Sequence, residues 1–136
     1  MKSESGYSLV EVMVAIIILA IAIIPMVGMF DAGLRAAVLG GNYDTVRTFA
    51  NEKLEETKAL AFNEVLVRYP EGGTTDCNPA PPSGSPITSC KVVTQYMRLG
   101  SGNSLIEENY ETSMLRTTVT IQWNGGNFQT TGLIAR

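Results

Sequence analysis

From Leu9 to Phe30 every residue is apolar or glycine or proline except Glu11. A stretch from Tyr7 to Phe30 is long enough to cross a membrane, which takes about 20 helical residues. One long helix is expected from Ser8, apolar nearly all round in its first half. Pro25 has no backbone N–H and its ring crowds the preceding turn, so a kink or local unwinding is expected near Ile21 to Pro25. Gly28, Gly33, Gly40 and Gly41 weaken a helix by up to about 1 kcal/mol each relative to alanine; they suit either close helix packing or a segment that melts when helices bundle. The pattern then turns amphipathic. Val46, Phe49, Ala50, Leu54, Thr57, Leu60 and Ala61 recur at helical spacing and form one apolar face. Glu52, Lys53, Glu55, Glu56 and Lys58 fill the rest and read as a solvated face, with Lys53–Glu56 and Glu55–Lys58 as local ion pairs. The expected helix runs to about residue 64, roughly 85 Å at 1.5 Å per residue.

The upper half of that helix needs a cover for its apolar face. Tyr69 to Cys90 holds Pro70, Pro79, Pro81, Pro82 and Pro86 with Gly72-Gly73, so no regular structure is expected there. Lys91 to Leu99 reads as a strand and Gly100-Ser101-Gly102-Asn103 as a turn. Ser104 to Ser113 is polar and reads as a loop or short strand. Met114 to Trp123 is the clearest strand: Leu115, Thr117, Val119, Ile121 and Trp123 alternate with polar residues at the period of a half-buried strand. Asn124-Gly125-Gly126-Asn127 supplies positive backbone angles for a tight hairpin, and Phe128 to Ala135 returns as its partner. The fold class is α+β, a long N-terminal helix packed on a small antiparallel sheet. The organisation is 1–6 as a polar leader, 7–30 as a transmembrane helix half, 31–64 as an amphipathic half, and 65–136 as loop and sheet completing one domain with 31–64.

Composition narrows the function. With 136 residues and a formal charge of −3, one domain and an anchor fit, and there is no basic footprint for nucleic acid. The chain has no histidine, which removes the usual general base and the commonest metal ligand. No nucleophile–base pair or metal cluster presents itself, so neither enzyme nor cofactor is expected. An ordinary cleaved secretory signal is disfavoured: Glu11 would interrupt its apolar region, and a cut after Ala22 would leave a chain starting with Ile23-Ile24-Pro25-Met26-Val27.

The run Gly6-Tyr7-Ser8-Leu9-Val10-Glu11 places a lone carboxylate at the head of the apolar stretch. A charge near a helix centre in a bilayer costs roughly 2.5 to 3.5 kcal/mol on insertion scales, so it calls for a partner. This motif, followed by an apolar helix and a sheet, resembles the type IV pilin superfamily. Ala50-Asn51-Glu52-Lys53-Leu54-Glu55-Glu56 and Val119-Thr120-Ile121-Gln122-Trp123 are similar to minor pilins of the V type, and the I-type pseudopilins of type II secretion are the nearest alternative. The resemblance implies cleavage by prepilin peptidase between Gly6 and Tyr7 and N-methylation of Tyr7. It also implies an assembly salt bridge from Glu11 to the N-terminal amine of a neighbouring subunit. Tyr7 stands where the family usually has phenylalanine. The helix proline of many major pilins falls where this chain has Gly28, which leans away from a major pilin. A plain signal anchor with an accidental acid, softened by snorkelling, is the bland alternative.

Cys77 and Cys90 flank the proline-rich loop in a region expected outside the cytoplasmic membrane, where disulfides persist. A disulfide there would stabilise by about 3 kcal/mol in the chain-entropy model. Zinc lacks two further ligands and Cys-x-x-Cys redox spacing is missing, which leaves a structural disulfide or two free thiols. The expected function is a minor subunit of a type IV pilus-like filament, a single-pass inner-membrane protein with its C-terminal domain outside before assembly. Its partners would be other pilin or pseudopilin subunits, the prepilin peptidase/N-methyltransferase, an inner-membrane assembly platform and the lipid bilayer. A monomeric membrane-anchored binding domain, whose leader is never removed, is the alternative of another class.

Overall fold

The computed structural model describes residues 8–136; the expected leader 1–6, with Gly6, and Tyr7 lie outside the described residues. Helix α1 runs Leu9–Ala59. It begins at Ser8, whose carbonyl accepts the N–H groups of Glu11 (2.9 Å) and Val12 (3.2 Å). The helix continues through Pro25, and the unwinding expected near Ile21 to Pro25 is not found. Proline removes a single donor, for the carbonyl of Ile21, and the turns on both sides keep their own bonds.

The chain divides into two units, Met1–Gly40 and Gly41–Arg136. In the first, residues 8–40 all belong to or cap α1 and all are exposed. The second holds the rest of α1, a short helix α2 (Phe62–Arg68) and a five-stranded sheet. Its strands are β1 (Thr74–Asp76), β2 (Ile87–Leu99), β3 (Leu105–Glu108), β4 (Met114–Trp123) and β5 (Gly126–Ala135). The order is β1-β2-β4-β5, with β3 also on β2, and every ladder is antiparallel.

The single long helix expected to residue 64 is in fact two helices. At the end of α1 the Leu60 N–H bonds the Thr57 carbonyl (3.3 Å) in a tightened last turn. The Glu64 carboxylate then reaches back to the Ala61 N–H (3.2 Å) and starts α2 afresh. This redirection lets Phe62 and Val65 cover Leu115 and Ile134 on the sheet. The proline-rich stretch also departs from expectation, since it contains β1 and the first residues of β2. Pro79, Pro81, Pro82 and Pro86 all fall between those strands, where no ladder N–H is needed. Ser104 to Ser113 contributes β3, the short strand of the two options. In the β4–β5 hairpin only Asn124 and Gly125 lie between the paired Trp123 and Gly126. The positive angle falls on Gly126 (φ 137°) and not on the two central residues. A Cβ at Gly125 would collide with the Trp123 ring, so a larger residue there would displace that side chain.

Two apolar clusters form the core. One joins Val46, Ala50 and Leu54 of α1 to Val92, Val119 and Ile121, with Tyr69 and the two cysteines; the other is the α2 cluster. In the strand register, Thr94, Thr117 and Gly132 lie side by side between them. Thr94 and Thr117 are fully buried, and Thr57 is buried on α1. The Thr94 hydroxyl donates to the Tyr69 carbonyl (2.7 Å) and that of Thr57 to the Lys53 carbonyl (2.8 Å). Among the described residues the Thr117 hydroxyl has no hydrogen-bond partner.

Candidate assembly interface

Every large apolar side chain from Leu9 to Phe30 stands exposed, Leu9 by 76% and Phe30 by 70%. Leaving each Leu or Ile in water forfeits about 1.5–3 kcal/mol relative to burial, so lipid or other helices must take up this surface. A Cβ added at Gly28, Gly33, Gly40 or Gly41 would meet nothing within 4 Å. Packing among the described residues therefore does not require these glycines.

Glu11 sits in the first turn of α1. The unsatisfied N–H groups at a helix start favour an anion there. Among the described residues the Glu11 carboxylate has no hydrogen bond or ion pair. Its proposed partner, the Tyr7 amine of another subunit, and the Gly6–Tyr7 bond lie outside the described residues. The first charged pair along the helix is Asp31–Arg35 (3.0 Å), well exposed.

The two cysteines are brought together. Cys77 and Cys90 are bonded, with Cα atoms 5.4 Å apart, and both are buried in the larger cluster. The Cys77 N–H donates to the Cys90 carbonyl (3.0 Å) beside the bond, fixing β1 and its loop to β2.

Lys53 departs from the solvated face expected of it. It is 4% exposed, with its ammonium 2.6 Å from Glu56 and 5.6 Å from the centroid of Phe49. Glu56 also reaches Arg68 of α2 (3.5 Å), so one carboxylate ties the two helices. The spacing carried the signal, because position 53 lies in the stripe with Val46, Ala50 and Thr57. The residue type concealed it.

Among the described residues no three acidic or cysteine side chains converge to hold a metal. Burial first, then Glu111 and Glu71, push the Tyr96 hydroxyl above its ordinary range, and a hydrogen bond to Glu108 first raises the Arg98 guanidinium. Both shifts favour the protonated form already present at neutral pH, so neither group gains acid–base use.

Residues 1–27 match the model of the prokaryotic N-terminal methylation motif. The chain carries a prepilin-like N-terminus. With α1 and the antiparallel sheet, this describes a type IV pilin-like protein, a pilus or pseudopilus subunit in general terms, of a kind that is typically structural and non-enzymatic. The motif implies processing by a prepilin peptidase and assembly with other pilins, and the apolar helix implies membrane anchoring beforehand. No curated protein and no solved structure matches the chain.

Proposed function

We propose that this protein is a minor subunit of a type IV pilus-like filament. It is made as an inner-membrane prepilin, cut after Gly6, methylated at Tyr7 and assembled through its N-terminal helix with the sheet domain outward. One observation carries the reading: an exposed apolar helix half bearing a single carboxylate, in the first turn of α1 and within the matched methylation motif. Stored in the membrane, Glu11 lies near the headgroups within reach of water. In a helix bundle it becomes dry, and a dry carboxylate is tolerable only beside a cation. The Tyr7 ammonium of the adjacent subunit has the complementary need, and pairing the two sets the stagger between helices that apolar packing leaves loose.

The test is Glu11→Ala in the full chain. The variant should be processed after Gly6 and persist in the membrane, yet be largely lost from sheared filaments. Glu11→Asp, one methylene shorter, should fall between. Glu11→Ala recovered in filaments at the wild-type level would overturn the charge-pair mechanism.

A further inference from the structure

The two edges of the sheet are built differently. On one side, β1 has 3 residues and β3 has 4, and they carry Asp76, Glu107 and Glu108. Short, charged strands are how soluble proteins guard an edge against pairing. The other edge is β5, with 10 residues, Gly126–Ala135, and no charged residue or proline. It has none of the usual guards.

The register shows which backbone groups that edge offers. Trp123 pairs with Gly126 across a two-residue loop, and the ladder continues one to one to Met114 and Ala135. The pair that closes such a loop exchanges both hydrogen bonds, and hydrogen-bonded pairs then alternate along the ladder. Gly126, Phe128, Thr130, Gly132 and Ile134 therefore face β4. Asn127, Gln129, Thr131, Leu133 and Ala135 turn their N–H and C=O groups outward, and all of them are exposed. Among the described residues no other segment makes a backbone hydrogen bond to them.

We propose that β5 pairs antiparallel with β5 of a second copy of this chain, about a twofold axis at Thr131. In that register Thr131 faces itself, Gln129 faces Leu133 and Asn127 faces Ala135, so every outward group gains a partner. A second copy fits because the strand is neutral along its whole length and brings no like charges together. The nearest charge, Arg136, would lie opposite Gly126 and is already engaged by Glu111 (3.1 Å). The facing Thr131 hydroxyls can hydrogen-bond across the strands. A twofold contact closes on itself, so it joins two copies and stops. It lies wholly within Gly41–Arg136 and is separate from helix packing in a filament.

The test is cysteine cross-linking of the full chain in its membrane. Directly opposed, hydrogen-bonded residues have Cα atoms about 5.5 Å apart, inside the span of a disulfide. The native cysteines are buried and bonded to each other and do not compete. Under mild oxidant Thr131→Cys should shift mainly to twice the monomer mass. Leu133→Cys alone and the turn variant Ser101→Cys should stay monomeric, whereas Gln129→Cys combined with Leu133→Cys should cross-link. A Thr131→Cys product no more abundant than that of Ser101→Cys, or one of another mass, would overturn the proposal.

Discussion

Thr94 and Thr117 are cross-strand partners, equally buried, and only one of the two hydroxyls is satisfied. The same substitution at each should therefore act with opposite sign. A buried polar group without a partner costs about 1–3 kcal/mol, and exchanging a hydroxyl for a methyl removes that cost at nearly constant shape. Thr117→Val should stabilise the Gly41–Arg136 unit by about 1 kcal/mol, which for a domain of roughly 100 residues raises Tm by about 4–8 °C. Thr94→Val takes the donor from the Tyr69 carbonyl and should cost about 1–3 kcal/mol. The single tryptophan, Trp123, packs against the larger cluster, so its fluorescence during heating of the full chain in detergent reports this unit and not the apolar helix. Comparable losses of Tm in both variants would refute the reasoning, because they would mean that the Thr117 hydroxyl is bonded after all.

Glu56→Ala leaves the Lys53 ammonium buried without its carboxylate and releases Arg68, and should cost on the order of 2 kcal/mol after allowance for the partial exposure of Glu56. Lys53→Met keeps the stem and removes the charge, so its urea midpoint should stay close to wild type, within about 1.5 kcal/mol; a larger loss than for Glu56→Ala would contradict this ordering. Cys77→Ser should lower stability by about 3 kcal/mol while far-ultraviolet circular dichroism keeps the strand signal, since β2, β4 and β5 pair independently of the bond. Equal melting with and without reductant would remove the disulfide from the account.

Much of this fold is legible because its periodicities are clean. The alternation from Leu115 to Trp123 places β4 and its buried face, and the stripe Val46, Ala50, Leu54, Thr57 marks the side of α1 that meets the sheet. What stays hidden has local causes. The break at Leu60–Ala61 contains neither glycine nor proline, and only the backward reach of Glu64 marks it. Strand β1 is three residues of Thr-Thr-Asp, too short for an alternation to show, and is held by pairing to Val93, Val92 and Lys91. The charge of Lys53 masks its burial, which its stem and its place in the stripe favour. For the assembly end, Glu11 and the apolar run stand out by chemistry alone, and a helix expected from Ser8 already puts Glu11 in the first turn, where α1 has it.

The central claim is that the chain is processed as a prepilin. Intact mass and N-terminal fragment analysis of the protein from its native membrane tests it most directly. The account predicts a mature chain that begins at N-methylated Tyr7, with residues 1–6 removed. A chain that retains Met1, or one cut after Ala22, would contradict it.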